Sequence, residues 1–243
     1  MSDMRLLVSV KNAEEAMAAL AGGADVIDAK DPAAGALGAV SLDVLRGIHS
    51  TIAGLKPVSA ALGDAIDERS IERDARAYAL AGASLVKIGF AGVSSRMRVG
   101  DLITAAMRGA AHHADVIAVA YADADRARSL VPRLIVEAAV HAGAAGVLLD
   151  TADKHGPGLR ALMTPAALGA WVTAAHDAGL RVALAGKLSA DDLEFVRDAG
   201  ADIAGVRGAA CDGDRTGEIS SKRVRELRLG MSAEAEASAL HLS

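Results

Sequence analysis

Residues 21–31 read AGGADVIDAKD. The first half reads as the end of a helix. Ala-rich sequence runs into Gly23, the residue type that most easily takes the left-handed conformation of a helix C-cap. The second half, DVIDAK at 25–30, reads as a buried strand that turns polar at its tip, with Asp28 and Lys30 followed by Asp31. A helix closed by glycine and followed at once by an apolar strand is half of a βα repeat.

The same join recurs as AGAS at 81–84, AGAA at 142–145 and AGAD at 199–202. Gly23, Gly82, Gly143 and Gly200 lie 59, 61 and 57 residues apart. A spacing near sixty holds two βα units of about thirty residues each, so four echoes imply about eight units. Apolar runs at 5–10, 25–30, 57–63, 85–90, 115–121, 146–151, 181–187 and 203–209 supply eight strands. The segments between them have helical apolar spacing. One, SADDLEFVRDAGA, opens with Ser189 and Asp192 placed to cap each other. Apolar strands alternating with helices indicate a parallel sheet, and eight units favour closure into a single (β/α)8 barrel. A doubly wound sheet is the other candidate, but no GxGxxG follows the first strand. Residues 1–230 are expected to form the barrel and 231–243 a C-terminal tail.

The 243 residues suit one such barrel. Apolar residues make up 52% but aromatics only 2%, so the core must be built from Ala, Val, Ile and Leu. The formal charge of -5, with no Lys/Arg block and few rings to stack on bases, argues against nucleic acid. Charge appears too early at the N-terminus for a signal peptide, and no uncharged run reaches a membrane span. The single cysteine, Cys211, reads as a packing residue. A soluble cytoplasmic protein is expected, without membrane contact and assembled as a homo-oligomer. The seven histidines show no ligand spacing, so no metal site is expected.

In such a barrel the chemistry sits at the C-terminal ends of the strands. Charges recur there. Asp28 and Lys30 are two apart on strand two and point to the same side of the sheet. Lys87 lies inside the apolar strand LVKIGF, Asp150 ends GVLLD, and Lys154 follows in the loop. Arg207 interrupts strand eight. Facing the barrel mouth, these groups can pair; facing the helices they would be buried alone. A structural ion pair inside the barrel is the other reading of Lys87. Lysines crowded in one cavity repel each other and lose hydration. Both effects lower an ammonium pKa from about 10.4 toward neutrality and allow attack on a carbonyl. The aspartates can orient the lysines and move protons. Small residues in ALAGKLS (183–189) and GVRGAAC (205–211) let the backbone approach a ligand. Gly186, Lys187, Arg207, Gly208 and Ala209 are therefore expected to bind a substrate phosphate. At this point a class I aldolase and a non-catalytic sugar-phosphate binder both remain open.

The stretches LLVSV, GGADVIDAKDPAAGALGA, VSAALGD, VKIGF, LLDTADK, LAGKL and GVRGAAC resemble the (5-formylfuran-3-yl)methyl phosphate synthase family. The resemblance implies a TIM barrel that condenses two molecules of glyceraldehyde 3-phosphate to 4-(hydroxymethyl)-2-furancarboxaldehyde phosphate. Water and one phosphate would be lost, no cofactor would be needed, and the product would serve methanofuran synthesis. It further implies that Lys30 forms the Schiff base, that Lys87 accepts a proton, and that Asp28, Asp150 and Lys154 support catalysis. The Ala-rich, aromatic-poor composition and the tail depart from archaeal members and suggest a bacterial relative.

Overall fold

The computed structural model describes residues 4–240, with side chains as far as Met231. Eight strands close a parallel barrel in sequence order: β1 (Arg5–Val10), β2 (Val26–Ala29), β3 (Val58–Asp64), β4 (Leu85–Gly89), β5 (Asp115–Tyr121), β6 (Gly146–Asp150), β7 (Arg181–Leu184) and β8 (Ile203–Val206). A helix follows each: α1 (Ala13–Gly22), α2 (Leu42–Ile52), α3 (Glu68–Leu80), α4 (Arg96–Ala110), α5 (Pro132–Ala142), α6 (Pro165–Asp177), α7 (Leu193–Asp198) and α8 (Ser221–Leu240). No helix of the described residues is long and apolar enough to cross a membrane.

The local signals act as the sequence suggests. Gly23, Gly82, Gly143 and Gly200 all have positive φ at the ends of helices. Ser189 and Asp192 form a capping box, with the Asp192 carboxylate accepting from the Ser189 N–H at 2.9 Å and its hydroxyl at 2.8 Å. Strand pleating separates two layers. On β1, Leu6, Val8 and Val10 lie fully buried under the helices, while Leu7 and Ser9 line the barrel interior. Ala and Gly make the outer layer thin. At Gly109 of α4 an added Cβ would sit 2.0 Å from the Glu72 carbonyl oxygen of α3.

One expectation is corrected. β7 and β8 end at Leu184 and Val206, three residues short of their predicted ends. Gly186 (φ 109°) and Lys187 (φ 60°) turn out of the sheet, and Gly208–Ala210 form a 3₁₀ turn. The last helix, α8, continues past residue 230 into the stretch expected as a tail. Residues 241–243 lie outside the described residues.

The α3–α4 contact gives a stability test. Gly109→Ala forces the two helix backbones apart and is expected to cost about 1–3 kcal/mol, read as a lowered urea midpoint at unchanged slope. An unchanged midpoint would show that the helices are not held at this separation.

Candidate active site

β1, β2 and β3 bring Ser9, Asp28 and Ser59 into one row, because Ser9 pairs with Asp28 and Asp28 with Ser59 in the strand register. Asp28 is fully buried. Its Oδ2 accepts from the Ser9 hydroxyl at 2.8 Å and its Oδ1 from the Ser59 hydroxyl at 2.6 Å. The Lys87 ammonium, from β4, lies 2.6 Å from Oδ1. Burial alone would raise the Asp28 pKa. Lys87, then Lys30, and the hydrogen bonds outweigh it and hold the carboxyl below its usual range.

A second pair forms across the mouth. Asp150 ends β6, and its Oδ1 takes the Thr151 N–H at 2.7 Å and the Lys154 ammonium at 2.7 Å. The loop that carries Lys154 is pinned from below by buried Asp123, whose carboxylate accepts from the N–H groups of Ala152 (2.7 Å) and Asp153 (2.9 Å). Burial again opposes ionisation of Asp150, and Lys154 and Lys30 again reverse it.

Lys30 sits between the two pairs. Its backbone N–H continues the ladder to the Val10 carbonyl at 2.9 Å, so the side chain is carried on rigid sheet. Only 9% of the residue is exposed. Among the described residues it makes no ion pair, although both carboxylates are near enough to act on it. Burial is the largest effect and lowers its pKa; Asp150 and Asp28 partly restore it, and Lys87 and Lys154 lower it further. The outcome is about 8.

These five groups open into one cavity of about 740 Å³ that runs down the barrel axis. At the end of β4, Gly89 leaves room for a neighbouring pair. A Cβ there would lie 2.3 Å from Asp64 Oδ1 and 2.4 Å from the Tyr121 hydroxyl, which donates to Asp64 at 2.7 Å. Burial first, then Asp64, pushes the Tyr121 pKa up, so its phenol stays protonated.

The residues expected at the phosphate end divide. The backbone N–H groups of Gly186, Lys187, Gly208 and Ala209 donate to no protein acceptor among the described residues, and all four residues line the cavity. Gly186 needs its glycine. Its φ is positive, and a Cβ would press to 3.0 Å on Thr151. Gly208 has no positive φ, so its glycine is not required by backbone conformation. Arg207 differs from expectation. All five guanidinium N–H donors are spent on the protein: on both Glu15 oxygens (2.8 and 3.1 Å) and on the carbonyls of Ser9 (2.9 Å), Arg215 (2.7 Å) and Gly217 (3.0 Å). It ties the loop after β8 to β1 and to α1, and has no donor left for a ligand.

Ser9, Ser59, Asp123 and Glu15 escape sequence reading. The only available signal was a serine at an inward position of two apolar strands. Serine is too common for that to single them out.

The chain matches the family model described as 4-HFC-P synthase over residues 6–228. It is 40% identical over 229 residues to the (5-formylfuran-3-yl)methyl phosphate synthase of Methanopyrus kandleri, covering 92% of this chain and 97% of the relative. It is 39% identical over 230 residues to the protein of that name from Methanothermobacter thermautotrophicus, covering 93% and 98%. Among solved structures, it superposes on phosphoribosyl anthranilate isomerase from Thermus thermophilus with a TM-score of 0.64 at 15% identity, covering 95% of this chain and 99% of that one. It superposes on 3-hexulose-6-phosphate synthase with a TM-score of 0.60 at 23% identity, covering 92% and 99%. These structures share the barrel. The long, near-complete matches to the synthases place the chain in the 4-HFC-P synthase family, a family of enzymes.

Proposed function

We propose that the protein is a soluble cytoplasmic synthase that condenses two molecules of glyceraldehyde 3-phosphate through a Schiff base on Lys30, supplying the furan of a methanofuran-type cofactor. The observation that carries this reading is Lys30 itself, a buried lysine with no ion pair among the described residues, near two carboxylates already committed to other lysines. With a pKa of about 8, about one molecule in ten holds a neutral Lys30 amine at pH 7. An ordinary lysine does so in fewer than about one in a thousand.

The steps follow from the groups at hand. One triose phosphate isomerises to the ketone, and the neutral Lys30 amine adds to its carbonyl carbon. Loss of water gives the imine, with a proton supplied at the departing oxygen by the Lys154 ammonium. A base then removes the proton from C2 of the second triose phosphate, and its phosphate leaves from C3 to give an enol that is nucleophilic at that carbon. Lys87 suits this role once its ammonium has passed a proton to the bound substrate, and Asp28 balances the charge it regains. The nucleophilic enol carbon adds to the imine carbon on Lys30, giving the branched skeleton that the 2,4-disubstituted furan requires. The hydroxymethyl oxygen of the first triose closes on the C2 carbonyl of the second, and elimination of one water and of Lys30 makes the ring aromatic. In total two trioses give the furan aldehyde phosphate, one phosphate and two waters. The free N–H groups at 186–187 and 208–209 support a substrate phosphate there, with Lys187 beside them.

Incubation with glyceraldehyde 3-phosphate should release one phosphate per furan aldehyde formed, read by mass analysis and a free-phosphate assay. Borohydride added during turnover should fix a triose phosphate on the peptide containing VIDAK. C–C bond formation without phosphate release would indicate a plain aldolase. An adduct confined to Lys87 would reassign the nucleophile.

Lys87→Arg keeps the charge and the Asp28 pairing but cannot accept a proton. It is expected to stay folded and to be trapped by borohydride, while turnover falls by about a hundredfold or more. Near-normal turnover in the folded variant would leave Lys87 only a structural ion pair.

A further inference from the structure

Of the cations lining the catalytic end of the cavity, four are spoken for. Lys87 pairs with Asp28, Lys154 with Asp150, Arg207 with Glu15 and Arg223 with Asp212. Three have no carboxylate among the described residues: Lys30, Lys187 and Arg215. Lys30 is the nucleophile of the proposed reaction, and Lys187 stands beside the free N–H groups of the loops after β7 and β8. Arg215 is left over.

Its surroundings are those of a presented group. The loop that carries it is tightly built. Arg207 donates to the carbonyls of Arg215 and Gly217, and Asp214 accepts from the N–H and hydroxyl of Thr216 at 2.7 and 2.5 Å. At Gly217 a Cβ would strike the Asp212 carbonyl oxygen at 2.2 Å, so the turn closes only with glycine. The backbone is thus fixed while the guanidinium is nearly unspent. Its one described hydrogen bond is a 3.3 Å contact to the carbonyl of Gly35, in the loop that follows Lys30. Arg215 therefore reaches from the loop after β8, beside Gly208, to the loop after β2, and lines the cavity in passing. The remaining donors match the paired oxygens of a phosphate monoester.

We propose that Arg215 is the principal ligand of a second phosphate site, distinct from the N–H groups at 186–187 and 208–209, which holds the phosphate of the second triose over Lys30. The inference rests on the triose phosphate reading of the site. Two phosphorylated substrates must be held at once beside one nucleophile, and the catalytic end of the cavity offers two cations, besides that nucleophile, with no carboxylate among the described residues. The 3.3 Å bond to Gly35 would be exchanged for a charge-assisted pair, drawing the loops after β2 and β8 onto the bound substrates.

The test uses inorganic phosphate as the probe, so it does not depend on catalysis. Calorimetric titration of the intact protein should show two phosphates bound per chain. Arg215→Met should retain one and bind the other at least about tenfold more weakly. Arg215→Lys should recover part of the loss, and Lys187→Met should weaken the site that Arg215→Met spares. In turnover, Arg215→Met should raise the KM for glyceraldehyde 3-phosphate at least about tenfold. Borohydride trapping of dihydroxyacetone phosphate on Lys30 should be unchanged. One phosphate per chain in the original protein, or two of unchanged affinity in Arg215→Met, would overturn the second site. Loss of one phosphate in Arg215→Met from a protein that makes no furan would uphold the site and sink the proposed reaction. Furan formation with an unaltered KM in Arg215→Met would do the reverse.

Discussion

A buried carboxylate close to two ammonium groups can pair tightly with only one of them. Here that choice is made twice, and both times against Lys30. Asp28 goes to Lys87, held there by the hydroxyls of Ser9 and Ser59, and Asp150 goes to Lys154, held by the Thr151 N–H. Each committed carboxylate is ionised in spite of its burial, because its partners outweigh the cost of desolvation. Lys30 receives only their more distant field, which does not make up for its own burial. Without the serines, Asp28 would be free to swing toward a lysine two residues along its own strand, and Lys30 would become an ordinary charged side chain.

The barrel makes this arrangement cheap to hold. Ser9, Asp28 and Ser59 are neighbours by strand register alone, so no loop has to fold to bring them together. Lys30 stands one inward step above Asp28 on the same strand. Groups that must move, or meet a substrate that leaves, are on the loops instead: Lys154 after β6, Lys187 after β7 and Arg215 after β8. Even these loops are anchored. Asp123 fixes the first, and the buried Arg207–Glu15 pair fixes the last to β1 and α1. Arg207 also takes the carbonyl of Ser9, so the clamp on the outer loop and the clamp on Asp28 share a residue.

Much of this was legible in the sequence, for a physical reason. A charge inside an apolar strand is costly unless it faces the barrel mouth. Asp28, Lys30, Lys87 and Asp150 therefore announced themselves, and the spacing of the four capping glycines counted the strands. Arg207 met the same criterion but has a different role. Its partner Glu15 lies 192 residues away and looks like a surface residue in the first turn of α1. The strand ends at 184 and 206 were hidden because Gly186 and Gly208 fit a strand as well as a turn. Arg215, in the polar stretch DGDRTGE, carries no local sign of its place over the cavity.

The central claim, that burial lowers the Lys30 pKa and that the two carboxylates, held by other lysines, do not restore it, can be measured without substrate. Trace acetylation of the protein across a pH series, with the Lys30 peptide quantified by mass spectrometry, gives the midpoint of its titration directly. The original protein should titrate at about 8. In Lys154→Met one like charge is gone and Asp150 is released to pair with Lys30. Both changes favour the ammonium, so the midpoint should move to higher pH. A midpoint near the ordinary lysine value of about 10.4 in the original protein, or one that Lys154→Met leaves in place, would contradict the account.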